Sequence, residues 1–437
     1  MIFTIRQLQE KCLEQHMGLY IAFIDLTKAF DTVSREGLWK ILPRLGCPPK
    51  FLDMLKEFHT GMMARVADNG SMSDPFLVSN GVKQGCVLAP TLFSILFAAM
   101  LHEASTGLDR GVHIQFRTDG RLFNIRRLKS QTKLSNILVR EMLFADDCAL
   151  VAHTEEDLQE IMDRFATACS SYGLTISLKK TEVMFQPPPG HNYTPPSITI
   201  SGTKLNAVDQ FTYLGSTLSR SANIDAEVSR RISKASGAFG GLRQKLWHKR
   251  GIKLETKISV YKATVLTSLL YACETWTTYA RHIKQLDRFH QRCLREIMRI
   301  KWYDKVPDTD VLKRANMTGI EAMVGKSRLR WAGHVVRMDD TRLPKAVLYS
   351  QLKLGSRSRG GQHKRFKDTL KDSIKKCGIP CDSWETLAQD RPLWRKHCHI
   401  GIAHFENERI LQAMEKRQLR KSQPDQPPTG SSLDRKS

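Results

Sequence analysis

The sequence predicts an α+β fold, an antiparallel sheet with packed helices followed by a helical region and a basic extension. Three observations predict it. The uncharged run Leu19-Tyr20-Ile21-Ala22-Phe23-Ile24 has the length and composition of a strand buried on both faces, and it ends at Asp25. Two further β-type runs, Met142-Leu143 and Cys148 to Ala152, flank Phe144-Ala145-Asp146-Asp147, the pattern of a hairpin with Asp146 and Asp147 at its tip. From Asp225 to Arg299 the apolar period becomes helical.

A strand ending in Asp25 and a hairpin tip carrying Asp146 and Asp147 can meet at one end of a sheet. Carboxylates crowded in a poorly solvated place repel one another unless a cation neutralises them or one takes up a proton. Mg²⁺ is the natural counter-ion, because it takes hard oxygen ligands and keeps coordination places for water and phosphates. Two such ions, about 3.5–4 Å apart, would activate an attacking oxygen and stabilise a leaving one. Taken alone, Asp146-Asp147 is equally an ordinary polar hairpin turn. The neighbouring blocks decide between the two.

Those blocks follow in order. Pro90 suits the opening of a helix in which Leu92, Phe93, Leu96, Ala99 and Met100 recur at helical spacing. Arg117 to Arg140 is polar and basic and reads as a connecting excursion. Thr154-Glu155-Glu156-Asp157 can cap a helix whose stripe is Leu158, Ile161, Met162, Phe165, Ala168, Cys169 and Tyr172. Gln186-Pro187-Pro188-Pro189-Gly190 breaks the pattern, and strand-like runs from Ser197 to Ile200 and Phe211 to Leu214 flank a turn at Gly202. Three helices are predicted around Val228 to Trp247, Glu255 to Ala272 and Lys284 to Arg299. In the third, Leu286, Phe289, Cys293, Leu294, Ile297 and Met298 form the buried face, leaving Arg288, Arg292, Arg295 and Arg299 as a positive one.

Block by block the chain resembles the reverse transcriptases of non-LTR retrotransposons, LINE-type elements and most of all the RTE-like ones. Phe23-Ile24-Asp25-Leu26-Thr27-Lys28-Ala29-Phe30-Asp31 looks like the first palm motif of that family, and Asn80-Gly81-Val82-Lys83-Gln84-Gly85-Cys86-Val87-Leu88-Ala89-Pro90 like the second. Phe144-Ala145-Asp146-Asp147 looks like the third. Gly173 to Glu182 resembles the fourth, and Phe211-Thr212-Tyr213-Leu214-Gly215 the fifth. The resemblance covers residues 14–220 well and continues more loosely to about residue 400.

The fold it implies is a right-hand polymerase palm, then a helical thumb and a basic C-terminal extension. It implies that Asp25 and Asp146 bind two Mg²⁺ ions, with Mn²⁺ as a substitute, that the Leu26 carbonyl is a further oxygen ligand, and that Asp147 supports the pair. Phe30 stands where the family carries a ring beneath the incoming sugar, which would clash with a 2′-hydroxyl. Gly81 and Gly85 let backbone pass close to a base pair or phosphate, while Lys83 and Gln84 offer a cation and an amide to template or nucleotide. Lys180 is the candidate for protonating the pyrophosphate leaving group, with Lys179 its rival and a solvated lysine pair the plain alternative. Many relatives carry Asn where this chain has Ser177, which alters a local hydrogen bond.

Charge agrees with this reading without establishing it. The formal net charge is +24, from 68 Lys and Arg against 44 Asp and Glu, which predicts salt-sensitive attraction to polyanions. No apolar run is long enough to span a membrane and no signal-like N-terminus is present, so an intracellular place, nucleus and cytoplasm, is expected. The ten cysteines are scattered and fit reduced thiols. Cys377, Cys381, His397, Cys398 and His399 have residue types that bind zinc, but the irregular spacing and three adjacent ligands argue against it. Trp331, within Ser327 to Val335, can stack on a base while Arg328 and Arg330 hold phosphate, or it can equally be a core residue. Gly355 to Arg365 reads as a flexible basic linker.

The division expected is a palm with a remnant of fingers over 1–220, a thumb-like region over 221–300, a basic nucleic-acid-binding region over 301–420 and a disordered tail over 421–437. Family members also carry an endonuclease and fuller fingers before the palm, whereas this chain starts roughly 25 residues before Asp25, so an N-terminally truncated copy is expected. The function expected is RNA-directed DNA polymerase, acting on RNA template, DNA primer or target, and dNTPs. The alternative is a catalytically inactive nucleic-acid-binding remnant. Oligomeric state is left open.

Overall fold

The computed structural model describes residues 1–130, 132–357 and 363–422, and they divide into two compact units. Of the described residues, those within 1–227 and 339–365 form the first and those within 228–338 and 366–422 the second. No described helix is long and apolar enough to cross a membrane.

The first unit is built on a five-stranded sheet. Its centre is β1 (Leu19–Ile24), the uncharged run of the sequence. On one side β1 pairs antiparallel with β5 (Asp147–Ala152), which returns from β4 (Glu141–Phe144); on the other it pairs antiparallel with β6 (Glu182–Gln186). Residues 206–207 add a short parallel strand beyond β6. Alternation along β1 sends its side chains to two cores. Ala22 and Ile24 pack with α4 (Ala89–Ser105) and α5 (Glu155–Ser171), while Leu19, Ile21 and Phe23 pack with Ile5 and Leu8 of α1 (Ile2–Glu14). Burial on both faces is thus as the run predicted. Each fully buried Ile, Leu or Phe contributes about 1.5–3 kcal/mol.

The two palm helices start where the sequence placed them. Thr154 caps α5, its Oγ1 accepting from Asp157 N at 3.1 Å, and Pro90 sits in the first turn of α4. Opposite them, α1 carries polar groups into the core: the Arg6 guanidinium donates to Ser216 Oγ and Thr217 O at 3.0 and 2.9 Å. Nothing in the apolar pattern signals that role.

One expectation needs correction. Arg117 to Arg140 is not only a connection, because β3 (Ser135–Val139) lies within it and pairs with β2 (Val112–Phe116). A strand from much later, β9 (Ser350–Leu352), completes that sheet on the other edge of β2. Leu352 N donates to Gln15 Oε1 at 2.7 Å and Lys11 Nζ to Ser350 O at 2.7 Å, so residues 339–365 fold with the first unit. The first unit runs to residue 227, and the described part of 301–420 is shared between the two units. Thr199–Ile200 pairs with Thr203–Lys204, and β7 (Gln210–Tyr213) pairs with β8 (Ser216–Ser219).

The second unit is helical. Its main members are α6 (Asp225–Gly241), which crosses from the first unit, α7 (Leu254–Tyr261), α8 (Ala280–Met298), α9 (Ile320–Val336), α10 (Phe366–Lys376) and α11 (Arg391–Ser422). The predicted helices ending near Trp247 and Ala272 are continued by π-helical turns, Arg243–Trp247 and Lys262–Leu266. On α8 the apolar face is buried as predicted, but the positive face is only partly free. Arg295 donates to Val306 O and Asp308, and Arg299 to His248 O, while Arg288 and Arg292 stay exposed. Arg328, assigned to phosphate contact, is buried instead and donates to Ser373 Oγ and Thr278 Oγ1 at 2.9 Å. Of the linker, residues 358–362 lie outside the described residues, as does the tail from residue 423; Lys421 and Ser422 end α11.

His290 gives this unit a measurable pH dependence. It is fully buried beside Tyr261, whose hydroxyl is 2.8 Å from Nδ1, and burial lowers its pKa from 6.5 to about 4. The folded chain refuses a proton that the unfolded chain accepts. Its share of stability is therefore complete above pH 6.5 and lost as pH falls towards 4, about 3 kcal/mol in all. Denaturant titrations across that window should show this loss in the parent and a flatter curve in His290→Asn.

Candidate active site

Asp25 follows the last residue of β1 directly. Because Ile24 pairs with Cys148 across β1 and β5, the next step of the antiparallel register sets Asp25 beside Asp147. The turn between β4 and β5 holds Ala145 and Asp146, Ala145 being left-handed at φ 55°, while Asp147 already pairs with Phe144 as the first residue of β5. So only Asp146 is at the tip, and Asp147 belongs to the strand. Burial, then the charges of Asp146 and Asp25, push the Asp147 carboxyl above its usual range.

The fourth block clasps Asp25 from the other side. Ser177 N donates to Asp25 O at 2.9 Å and Thr27 N to Thr175 O at 2.8 Å, with Leu26 bridging Ile176 between these two bonds. The Leu26 carbonyl is therefore not consumed by that bridge. Ser177 acts here through its backbone, and its carbonyl accepts from Lys180 N and Thr181 N at 3.2 and 2.9 Å. This tight turn brings Lys180 Nζ to 3.3 Å from Asp25 Oδ2. Lys179 makes no such contact. The pair is largely exposed and adds little stability.

The second block is tied to the first by backbone. Gly81 N donates to Val33 O at 2.9 Å and Val82 N to Phe30 O at 2.8 Å. Gly81, at φ 81°, lies so close to Asp31 that a Cβ would stand 2.5 Å from its carbonyl oxygen. The close approach expected of Gly81 is thus made to protein. Gly85, at φ 90°, has open space around it, and Lys83 and Gln84 are exposed. Phe30 is half-buried and stacks on Phe93 with ring centroids 4.6 Å apart.

One member was invisible in the sequence. Arg35, at the start of α2 (Arg35–Arg44), is buried and donates to Gly81 O, His59 O and Val78 O, each at 2.8 Å. It ties the glycine loop to the segments that flank a small hairpin over residues 63–77. Ser34, which caps α2, was the available signal for the helix, but none pointed to the clasp.

The donor set fits hard divalent cations. Asp25 Oδ2 is buried and meets no hydrogen-bond donor in good geometry, and the positive charge nearest to it is the Lys180 ammonium at 3.3 Å. Among the described residues no three His, Cys, Asp or Glu are gathered closely enough to hold an ion as they stand. Burial, then the neighbouring charges of Asp146 and Asp25, raise the Asp147 pKa, and a bound cation would offset both. Of the zinc candidates, Cys377 and Cys398 are buried and near one another, while His399 is exposed on the same helix as His397 and Cys398.

A sheet whose central strands end in carboxylates, backed by two helices and clasped by a lysine-bearing turn, is a nucleic-acid polymerase palm. Residues 2–218 match the family model described as reverse transcriptase (RNA-dependent DNA polymerase). The chain is 26% identical over 298 residues to the RNA-directed DNA polymerase from mobile element jockey of Drosophila funebris, a match covering 66% of this chain and 29% of that protein. It is also 26% identical over 261 residues to a putative transposon-derived protein of Caenorhabditis elegans, covering 57% and 92%. Among solved structures it is similar to telomerase from Candida tropicalis in complex with a fragment of telomeric RNA, at 12% identity and a TM-score of 0.39, covering 91% of this chain and 51% of that one. Residues 2–218 are a reverse transcriptase domain of the kind found in non-LTR mobile elements. The chain spans less than a third of the length of the jockey polymerase. Reverse transcriptases as a family use divalent metal ions.

Proposed function

We propose that this chain is an RNA-directed DNA polymerase of a non-LTR retrotransposon, of the RTE-like group, which extends a DNA 3′-hydroxyl on an RNA template. The observation that carries the reading is the meeting of Asp25, Asp147 and Lys180 at one end of the sheet, with the Asp146 turn adjoining. Asp25, Asp146 and the Leu26 carbonyl would hold two Mg²⁺ ions, or Mn²⁺, and Asp147 supports them. When bound, such ions activate the attacking hydroxyl and stabilise charge on the leaving pyrophosphate.

The chain's own groups do the rest. Lys180, held beside Asp25, is placed to give a proton to pyrophosphate. Lys83 and Gln84 project from a loop anchored through Gly81 and Arg35, free to meet template or dNTP. Phe30, braced on Phe93, presents a fixed wall to the sugar. RNA template, DNA primer or target and dNTPs are the partners, in nucleus and cytoplasm.

Sugar choice tests the assignment of the wall. Phe30→Val should raise incorporation of ribonucleotides relative to deoxyribonucleotides by about tenfold or more in single-nucleotide extension on an RNA template. An unchanged ratio in an active variant removes Phe30 from nucleotide selection.

A further inference from the structure

The second unit contains a basic cleft that the polymerase reading leaves unused. It has a volume of about 460 Å³ and is lined by one face of α9 and the first turns of α11. Arg330, His334 and Arg337 recur at helical spacing on α9, and Arg391 and Arg395 stand one turn apart on α11. Trp331 forms an aromatic wall, half-buried, its ring 5.6 Å from that of His334.

The cleft is fixed by packing. Trp394 on α11 is buried and donates from Nε1 to Leu329 O at 3.0 Å, and a Cβ at Gly333 would run into its indole. Glycine at 333 is what lets the two helices approach. The cations are held together with little to neutralise them. Glu274 is the single carboxylate in the lining, and Arg330, Arg391 and Arg395 form no ion pair among the described residues. Elsewhere in the same unit arginines are matched, as in Arg243 with Glu296 and Arg409 with Glu406. Burial, then repulsion from Arg391 and Arg395, lowers the pKa of Arg337.

We propose that this cleft binds one unpaired nucleotide of a single strand, its base against Trp331 and its flanking phosphates on Arg330, Arg391 and Arg395. A concave site of this volume suits one nucleotide. Unpaired bases expose the π-face that an aromatic wall needs, whereas a duplex hides it. RNA and single-stranded DNA share this chemistry. The inference does not rest on polymerase activity.

Fluorescence anisotropy of the full chain with labelled 12-nucleotide RNA, the same sequence as single-stranded DNA, and duplex DNA, over a range of salt, tests it. Arg391→Ala with Arg395→Ala should weaken single-strand binding about tenfold or more and reduce the salt slope by about 1.4. Lys416→Ala with Arg420→Ala, which removes two exposed charges lower on α11, should do much less. Trp331→Phe should bind within about threefold of the parent, and Trp331→Leu should not, which separates stacking from packing. Tighter binding of RNA than of single-stranded DNA names RNA as the ligand, and the reverse names DNA. Equal losses in the two double variants, or a preference for duplex, would overturn the proposal.

Discussion

Asp146→Asn is expected to abolish primer extension while leaving the fold intact. The side chain sits in the two-residue turn between β4 and β5, outside the apolar cores, so its amide analogue costs little stability. What it removes is a charged oxygen ligand. Loss of about 4 kcal/mol of transition-state stabilisation corresponds to about a thousandfold in rate. Extension measured at saturating dNTP should fall by at least that factor, with thermal unfolding unchanged within error. Activity within tenfold of the parent would remove Asp146 from the metal site.

Gly81→Ala should be the most damaging small change to the fold around the site. A Cβ there would stand 2.5 Å from Asp31 O and 2.8 Å from Asp31 C and Cα, all backbone, at a φ that disfavours any L side chain. Strain and clash together are worth about 2–3 kcal/mol. The loop is also held by Val33 O, Phe30 O and Arg35, so relieving the clash must move the loop carrying Lys83 and Gln84 away from Phe30. Gly85→Ala is the control, since nothing lies within 4 Å of its Cβ and only the positive φ is penalised, about 1 kcal/mol. Chemical denaturation of both variants checks the difference. Equal stability of the two would contradict the close approach at Gly81.

The sequence was most legible where one physical pattern had one solution. The uncharged run of β1 is buried on both faces, and the α4 and α5 stripes face one core as their spacing demanded. The carboxylates were singled out by the resemblance, because Asp146-Asp147 alone reads as an ordinary polar turn. What stayed hidden depended on contacts distant in sequence. Ser350–Leu352 completes a sheet with Val112–Phe116 across more than 230 residues, and nothing local marks it as their partner. Arg35 carried no signal and Arg328 read as a phosphate contact, yet each is buried and bonded to carbonyl or hydroxyl acceptors from other segments. Arg295 and Arg299, read as part of a positive helix face, are bonded to carbonyls: helical spacing shows which face a residue occupies, and not what is already bonded to it.

The central claim is that the carboxylates gathered at the end of the sheet make a metal-dependent, RNA-templated polymerase. It is tested most directly by extension of a labelled DNA primer on an RNA template by the full chain, with Mg²⁺ and after chelation. The account predicts products that lengthen with added dNTPs, disappear on chelation and return when Mg²⁺ is restored. A cooperatively folded chain that binds the template and primer with Mg²⁺ present and adds no nucleotide would contradict it.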